Sequence, residues 1–488
     1  MNVSERVKKA TTWSMITEIC SKIITPIVNM VLARLLVPEA FGVVATINMV
    51  ISFAEIFTDA GFQKFLIQRE FESEDDLNRS TDVAFWTNLG LSCFICVVIF
   101  FARHSLATML KRPELANSIS IASILIIVAA FSSIQMARYK RNFDFKTLFV
   151  VRLGVILIPV VVTIPLAIVL KNYWALLIGT FASQLFNAIV LTVKSKWKPK
   201  FFYSVKLLKK MFGFSAWTIL ESISIWLTLN VGIFIVGNNL NDYYLGLYTT
   251  SITTVNSIVG IITSSISPVL FSALSRHQND DLEYRKTYYS FQRMSAVFIV
   301  PLSVGIFLYS DLVTLILLGN QWAQAAGAIG IAGLFRSVTF LFSNFSSEVY
   351  RSKGEPRISL IMQIVYLVFI IPVLWISSQY GFKPLYISNA LAGLEMVLCS
   401  VIIMRYRYKF RFLDSVKEIY PMFIASLIMG GCGYLLKTMM DNVIWSFVTV
   451  IICMVVYFLV LFLFFPRTRI DASNFPILGK FFKKIFKS

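Results

Sequence analysis

Charged and amide residues recur at helical spacing inside stretches that are otherwise apolar. Glu18, Lys22, Thr25 and Asn29 follow one another at intervals of four, three and four residues. On a helix of about 3.6 residues per turn, these intervals put all four on one face. Asn48, Ser52, Glu55 and Asp59 repeat the same intervals further on. Glu221, Ser224 and Thr228 form a third stripe, Thr253, Asn256, Gly260 and Thr263 a fourth, and Arg336, Thr339, Ser343 and Ser347 a fifth, while Glu395 stands in the middle of another apolar stretch. Such groups can hold an anion, bind a cation or carry a proton. Each also has a plainer reading. Glu18 precedes Lys22 by four residues, the favourable order for an ion pair within one helix. Arg152 and Arg293 stand near the ends of their stretches, where a long side chain can reach the water interface. Serine and threonine stripes also serve helix packing.

The elements that carry these residues are set by composition. The chain has 488 residues, 57% of them hydrophobic and only 15% charged. A soluble domain carries about 25% charge, so this chain cannot coat itself with a charged surface. Fourteen stretches are long and apolar enough to cross a bilayer, which takes about 20 residues: 11–34, 40–62, 81–102, 116–137, 147–170, 173–193, 211–237, 244–274, 291–318, 325–350, 358–378, 385–404, 418–436 and 443–465. The expected fold is therefore all-α and membrane-integral, with no soluble domain between the spans. A charge at the centre of a lipid-facing helix costs about 2.5–3.5 kcal/mol, so the polar faces are expected to turn inward. Arg336 and Glu395 lie nearest mid-membrane without an adjacent partner and are the strongest functional candidates.

The 45 Lys and Arg exceed the 26 Asp and Glu, giving a net charge of +19. That excess is a record of topology rather than a nucleic-acid surface. With the N-terminus inside, 34 basic residues fall in inner connections and tails and 7 in outer connections, as the positive-inside rule demands. Both termini are thus expected on the cytoplasmic face, and the first span, interrupted by Glu18 and Lys22, reads as an uncleaved anchor. The chain also repeats itself. Trp13, Leu36 and Gly42 recur 204 residues later as Trp217, Leu240 and Gly246, and Asp75-Asp76-Leu77 recurs 205 residues later as Asp280-Asp281-Leu282. Two parallel six-helix lobes are expected, 1–210 and 211–410, around a central cavity, followed by two further helices and a basic tail at 411–488; transporters use this design with the substrate path between the repeats.

Catalytic chemistry finds little support. No phosphate-binding loop, nucleophile elbow or metal-ligand cluster is present. All six cysteines sit in apolar stretches, including the Cys93/Cys96 pair, and the two histidines, His104 and His277, are far apart in sequence. No metal or cofactor is expected. A membrane-bound glycan polymerase or ligase would need a sizeable loop for its chemistry, and the outer connections are short.

The stretch Leu32-Ala33-Arg34-Leu35-Leu36-Val37-Pro38-Glu39-Ala40-Phe41-Gly42 resembles the LARLL-x-P-x-x-FG signature of Wzx-type polysaccharide flippases. Asp59-Ala60-Gly61-Phe62, Leu66-Ile67-Gln68-Arg69, Phe212-Gly213, Gly246-x-Tyr248, Gly319-Asn320-Gln321-Trp322 and Leu334-Phe335-Arg336-Ser337-Val338 fit the same family in order. The resemblance covers nearly the whole chain and is of the colanic-acid and teichuronic-acid exporter type; the wider superfamily includes multidrug exporters and the lipid II flippase. One departure is Asn230-Val231-Gly232, where many relatives carry Asn-x-Asp. The resemblance implies export of a polyprenyl-diphosphate-linked oligosaccharide across the bacterial cytoplasmic membrane, among membrane lipids and alongside polymerase and chain-length machinery. It implies cationic contacts for the diphosphate, assigned to Arg336 first, then Lys22, with Arg34, Arg152 and Arg293 as entry or exit contacts and Asn29 for the sugar. Glu18, Glu55, Glu221 and Glu395 are the candidates for coupling to a cation. The rival readings are a multidrug or small-cation exporter and a lipid II-type flippase.

Overall fold

The computed structural model describes residues 3–59, 61–440 and 442–465. Among the sequence features above, the Asp59 and Trp217 side chains, the Phe212-Gly213 pair and the basic tail 466–488 lie outside the described portions. The described residues fold into α-helices joined by short turns, and fourteen helical stretches are long and apolar enough to cross a membrane. They gather into two compact units, Met1–Thr250 and Ser251–Ser488.

The first unit contains α1 (Val3–Leu35), α2 (Pro38–Asp59), α3 (Phe62–Gln68), α4 (Glu74–Met109), α5 (Ala116–Ala122), α6 (Ile124–Arg141), α7 (Phe145–Ile158), α8 (Ile164–Leu170), α9 (Tyr173–Lys194), α10 (Val205–Asn239) and the start of α11 (Asp242–Arg276). Helix α1 packs on α7, α6 on α4 and α9, and α10 on α2. The short helix α3 falls in a connection the apolar pattern leaves unstructured. Its end is held by Arg141, whose Nη1 donates to the carbonyls of Leu66 (2.8 Å) and Arg69 (2.7 Å). The second unit continues with α12 (Asp281–Leu308), α13 (Ser310–Leu317), α14 (Ala326–Thr339), α15 (Phe345–Ser352), α16 (Pro356–Ser378), α17 (Phe382–Tyr406), α18 (Phe412–Met439) and α19 (Val443–Phe464). Here α12 packs on α18 and α14, α14 on α17, and α18 on α19 around a core containing Tyr284, Tyr288, Phe345 and Tyr350.

Boundaries depart from the apolar runs where polar chemistry sets the helix end. The third span begins at Glu74 rather than near 81, because Ser73 accepts a hydrogen bond from the Asp76 amide and three acids occupy the first turn, all favourable at a helix N-terminus. The repeat of that motif also opens a helix, but two residues later in register: Asp280, the counterpart of Asp75, is itself the cap of α12 and accepts from the Leu282 and Glu283 amides. The expected ninth span, 291–318, is broken at Tyr309 (φ −109°, ψ 31°). Lys437 stabilises the break by donating to the Leu308 carbonyl (3.1 Å) and the Asp311 carboxylate (3.0 Å). The sequence marks the place only by the polar pair Ser310-Asp311 inside the apolar run.

Three pairs of helix stops share nearly one spacing. Lys111, Phe143 and Lys171 have positive φ (55°, 57° and 49°), and so do Gly319, Gly354 and Gly381 (97°, 76° and 98°), which lie 208, 211 and 210 residues later. The later stops use glycine, which takes positive φ without a steric penalty. The earlier ones carry side chains that cost roughly 1 kcal/mol there. Replacing Lys171 with glycine is therefore expected to raise unfolding stability by up to about 1 kcal/mol, read as a thermal shift in detergent.

One clamp lies between the spans of the second unit. Arg407 grips Glu355 with both Nε (2.9 Å) and Nη2, and the Tyr408 hydroxyl donates to the same carboxylate. The Arg407 hydrogen bond, helped by Tyr408, holds the Glu355 carboxyl down at about 2. A depressed carboxyl stabilises the fold above its unfolded pKa, about 4.3, and that contribution is lost as pH falls towards 2. Glu355→Gln should lack the part of the acid-induced loss that the native chain shows between about pH 4 and pH 2. Acid unfolding curves of the two that coincide in that window would refute the assignment.

Candidate functional site

A cavity of about 800 Å³ opens inside the first unit between α1, α6, α7 and α9. Helix α1 supplies Glu18, Thr25 and Asn29 from the face its spacing defines, α6 supplies Lys140 and α7 supplies Arg152. Helix α9 adds Thr180, Ser183, Gln184 and Asn187. The close fit of α9 depends on Gly179, where a Cβ would fall 1.9 Å from Thr163 Oγ1. Thr163 ends a π-helical turn, Pro159–Thr163, between α7 and α8; such turns often mark functional places in membrane and soluble helices. The resulting wall is rich in hydroxyls and amides. Its charges are one carboxylate and two cations. Among the described residues, Glu18 makes no ion pair with Lys22 within 4 Å, and Lys22 is half-buried and off the cavity.

Spacing on α1 located this site from one side only. The stripe Thr180, Ser183, Gln184 and Asn187 has the same 3.6-residue period, and reading α9 as α1 was read would have found it. Lys140 had no such signal, since it stands in a basic connection with three other cations nearby in sequence.

In the second unit, Arg336 on α14, Tyr366 on α16 and Glu395 on α17 form a polar island among apolar helices. Tyr366 lies in the field of both charged groups. Glu395 Oε1 accepts from the Cys399 thiol (2.9 Å), while Glu395 Oε2 and Arg336 Nε are buried without a hydrogen-bond partner among the described residues. A π-helical turn, Phe340–Asn344, follows Arg336 by one turn of helix. Unsatisfied buried charged groups are costly to maintain, which makes this place unlike the packed core around it.

The remaining candidates have other surroundings. Glu221 pairs with Lys64 at 3.0 Å, both side chains being about half exposed. Arg293 pairs with Glu418. Glu55 is half-buried on α2, and Arg34 is exposed at the end of α1. Asn230 turns its amide back onto the Trp226 carbonyl (3.0 Å). At Gly232 a Cβ would lie 2.4 Å from the Tyr248 hydroxyl, so the departure Asn230-Val231-Gly232 makes room for the Tyr248 ring of α11. The six cysteines are free thiols, and no group of three or more metal-ligating side chains occurs among the described residues.

Comparison with known proteins agrees with this architecture. A family model described as polysaccharide biosynthesis protein matches residues 31–327. The chain is 22% identical to the lipopolysaccharide biosynthesis protein WzxC of Escherichia coli, over 78% of this chain and 76% of that protein. It is also 22% identical to the teichuronic acid biosynthesis protein TuaB of Bacillus subtilis, over 72% and 73%. Its fold is similar to that of the lipid II flippase MurJ in an inward closed conformation, with a TM-score of 0.76 and 15% identity over 94% of this chain and 99% of that one. A multidrug resistance MATE family transporter shares the fold more loosely, with a TM-score of 0.60 and 15% identity over 83% and 96%. The chain is a multi-pass membrane protein that belongs to the polysaccharide biosynthesis protein family.

Proposed function

We propose that the chain flips polyprenyl-diphosphate-linked oligosaccharide repeat units from the inner to the outer leaflet of the cytoplasmic membrane, by exposing its cargo site to the two sides in turn. The observation that carries this reading is the cavity of about 800 Å³ whose wall combines hydroxyls and amides with Lys140 and Arg152. Each sugar hydroxyl taken into hydrocarbon without a partner costs about 4–8 kcal/mol. A repeat unit with several sugars cannot cross unaided, and a polar cavity that hydrogen-bonds it removes that barrier. The polyprenyl tail needs no such shelter and can remain in lipid. Arg336 is assigned to the diphosphate, because a guanidinium presents paired donors to phosphate oxygens. An inside-negative potential then favours outward movement of the anion by about 2.3 kcal/mol per charge per 100 mV.

Coupling to a cation is assigned to Glu18, in the cavity, and Glu395, beside Tyr366; Glu221 is occupied by Lys64. Glu18 is also what a small-cation exporter would use, and it supports that second reading. Two cations in the same wall favour an anionic cargo over a cationic drug. The role is transport rather than catalysis, and the exported unit would pass to polymerising machinery. Deleting the gene should leave lipid-linked repeat units on the cytoplasmic face, with surface polymer lost and drug sensitivity unchanged. Normal polymer with increased drug sensitivity would favour the cation-exporter reading instead.

A further inference from the structure

The two copies of the repeat touch within the first compact unit at one matched pair of backbone contacts. A Cβ at Gly42 on α2 would fall 2.1 Å from the Asp242 carbonyl oxygen, and one at Gly246 on α11 would fall 1.9 Å from the Pro38 carbonyl oxygen. Pro38 and Asp242 are the first residues of their helices, and each glycine stands four residues further on. Both correspondences have the same spacing of 204 residues. The contact is therefore reciprocal: the glycine of each helix rests on the first residue of the other, as at a two-fold axis between like parts.

Arg112 fastens this crossing. Its Nε donates to Asp242 Oδ1 at 2.7 Å, and its Nη2 to the carbonyls of Gly237 (3.1 Å) and Leu240 (3.3 Å). Lys111 Nζ adds a bond to the Asn238 carbonyl (3.1 Å). The Arg112 and Asp242 side chains are only 13% and 20% exposed. A cation is thus held against the negative end of α10 and the acid that opens α11, two interactions of the same sign. Lys111 and Arg112 belong to the connections that the basic-residue asymmetry assigns to the outer face.

We propose that this crossing is the outer latch of the transport cycle, closed while the cargo cavity faces inward and opened by separation of α2 from α11 with release of Arg112. The proposal rests on the transport reading above. A glycine on a carbonyl and a few polar bonds can part and re-form without dragging bulky side chains through a packed core. Packed apolar interfaces resist such motion.

The test uses a single cysteine at position 25, Thr25→Cys, on the cavity wall, in a chain whose other cysteines are replaced. It is labelled with a membrane-impermeant maleimide from each side of oriented vesicles. Gly42→Ala and Gly246→Ala each put a methyl group where backbone now lies. Alanine is the better helix former, so the helices persist and only the crossing is wedged. Arg112→Gln removes the fastening. Labelling from the Arg112 side should rise on the order of tenfold, the shift expected from losing one charge-assisted hydrogen bond. It should stay unchanged in Gly90→Ala, where a Cβ meets nothing within 4 Å. Rates in both crossing variants equal to those of Gly90→Ala overturn the latch, whatever happens to export. Faster labelling together with normal handling of lipid-linked sugar supports the latch and counts instead against the assigned cargo.

Discussion

Arg336→Ala is expected to abolish polymer export while the protein still inserts and folds. The guanidinium sits near the middle of a membrane span with a buried Nε that has no hydrogen-bond partner among the described residues. A stability role would predict the opposite, because an uncompensated buried charge weakens a fold. Replacing it with methionine, similar in length and without charge, should leave the unfolding temperature unchanged or higher. If Arg336 holds a diphosphate through two charge-assisted bonds of about 1.5–3 kcal/mol each, its loss weakens that grip by at least two orders of magnitude. Lysine at the same place keeps the charge and loses the paired donors, so Arg336→Lys should retain a small fraction of export. The measurement is surface polymer beside lipid-linked repeat units on the inner face. Full polymer from a stable Arg336→Ala chain would remove the residue from the site.

Ser183→Trp carries the second large effect. Ser183 lies on the cavity wall contributed by α9, and an indole there occupies the space assigned to the sugars. Export should fall at least tenfold, since each lost or displaced polar contact to cargo is worth about 1 kcal/mol or more. Val193→Trp is the matched control, because Val193 is on the same helix, 70% exposed, and off the cavity. Both variants should insert equally well. Equal export from the two would mean that the cavity in the first unit is not on the cargo path.

The helices were legible because a bilayer leaves a chain few choices. About 20 apolar residues in a row can satisfy their backbone only as a helix, and fourteen spanning helices occur where the amino-acid pattern puts them, the ninth ending at Leu308 instead of 318. Helix ends were less legible. The extension of the third span to Glu74 comes from capping, and the break at Tyr309 comes from Lys437, which lies 128 residues away in sequence. The site was legible where polarity had a period. The face of α1 pointed to Glu18 and Asn29, and both line the cavity.

What periodicity could not do was choose partners. It names the face on which Lys22 and Glu221 stand, yet only packing turned Lys22 off the cavity and brought Lys64 to within 3.0 Å of Glu221. The same holds for Arg293 and Glu418, which are far apart in sequence. The sequence by itself determined the membrane class and the number of spans, because both follow from local composition and spacing. Tertiary structure alone decided which charges are paired, which buried atoms lack a partner among the described residues, as Arg336 Nε and Glu395 Oε2 do, and where Gly42 meets Asp242. Those outcomes depend on contacts between distant segments at distances of a few ångströms, which no local pattern encodes.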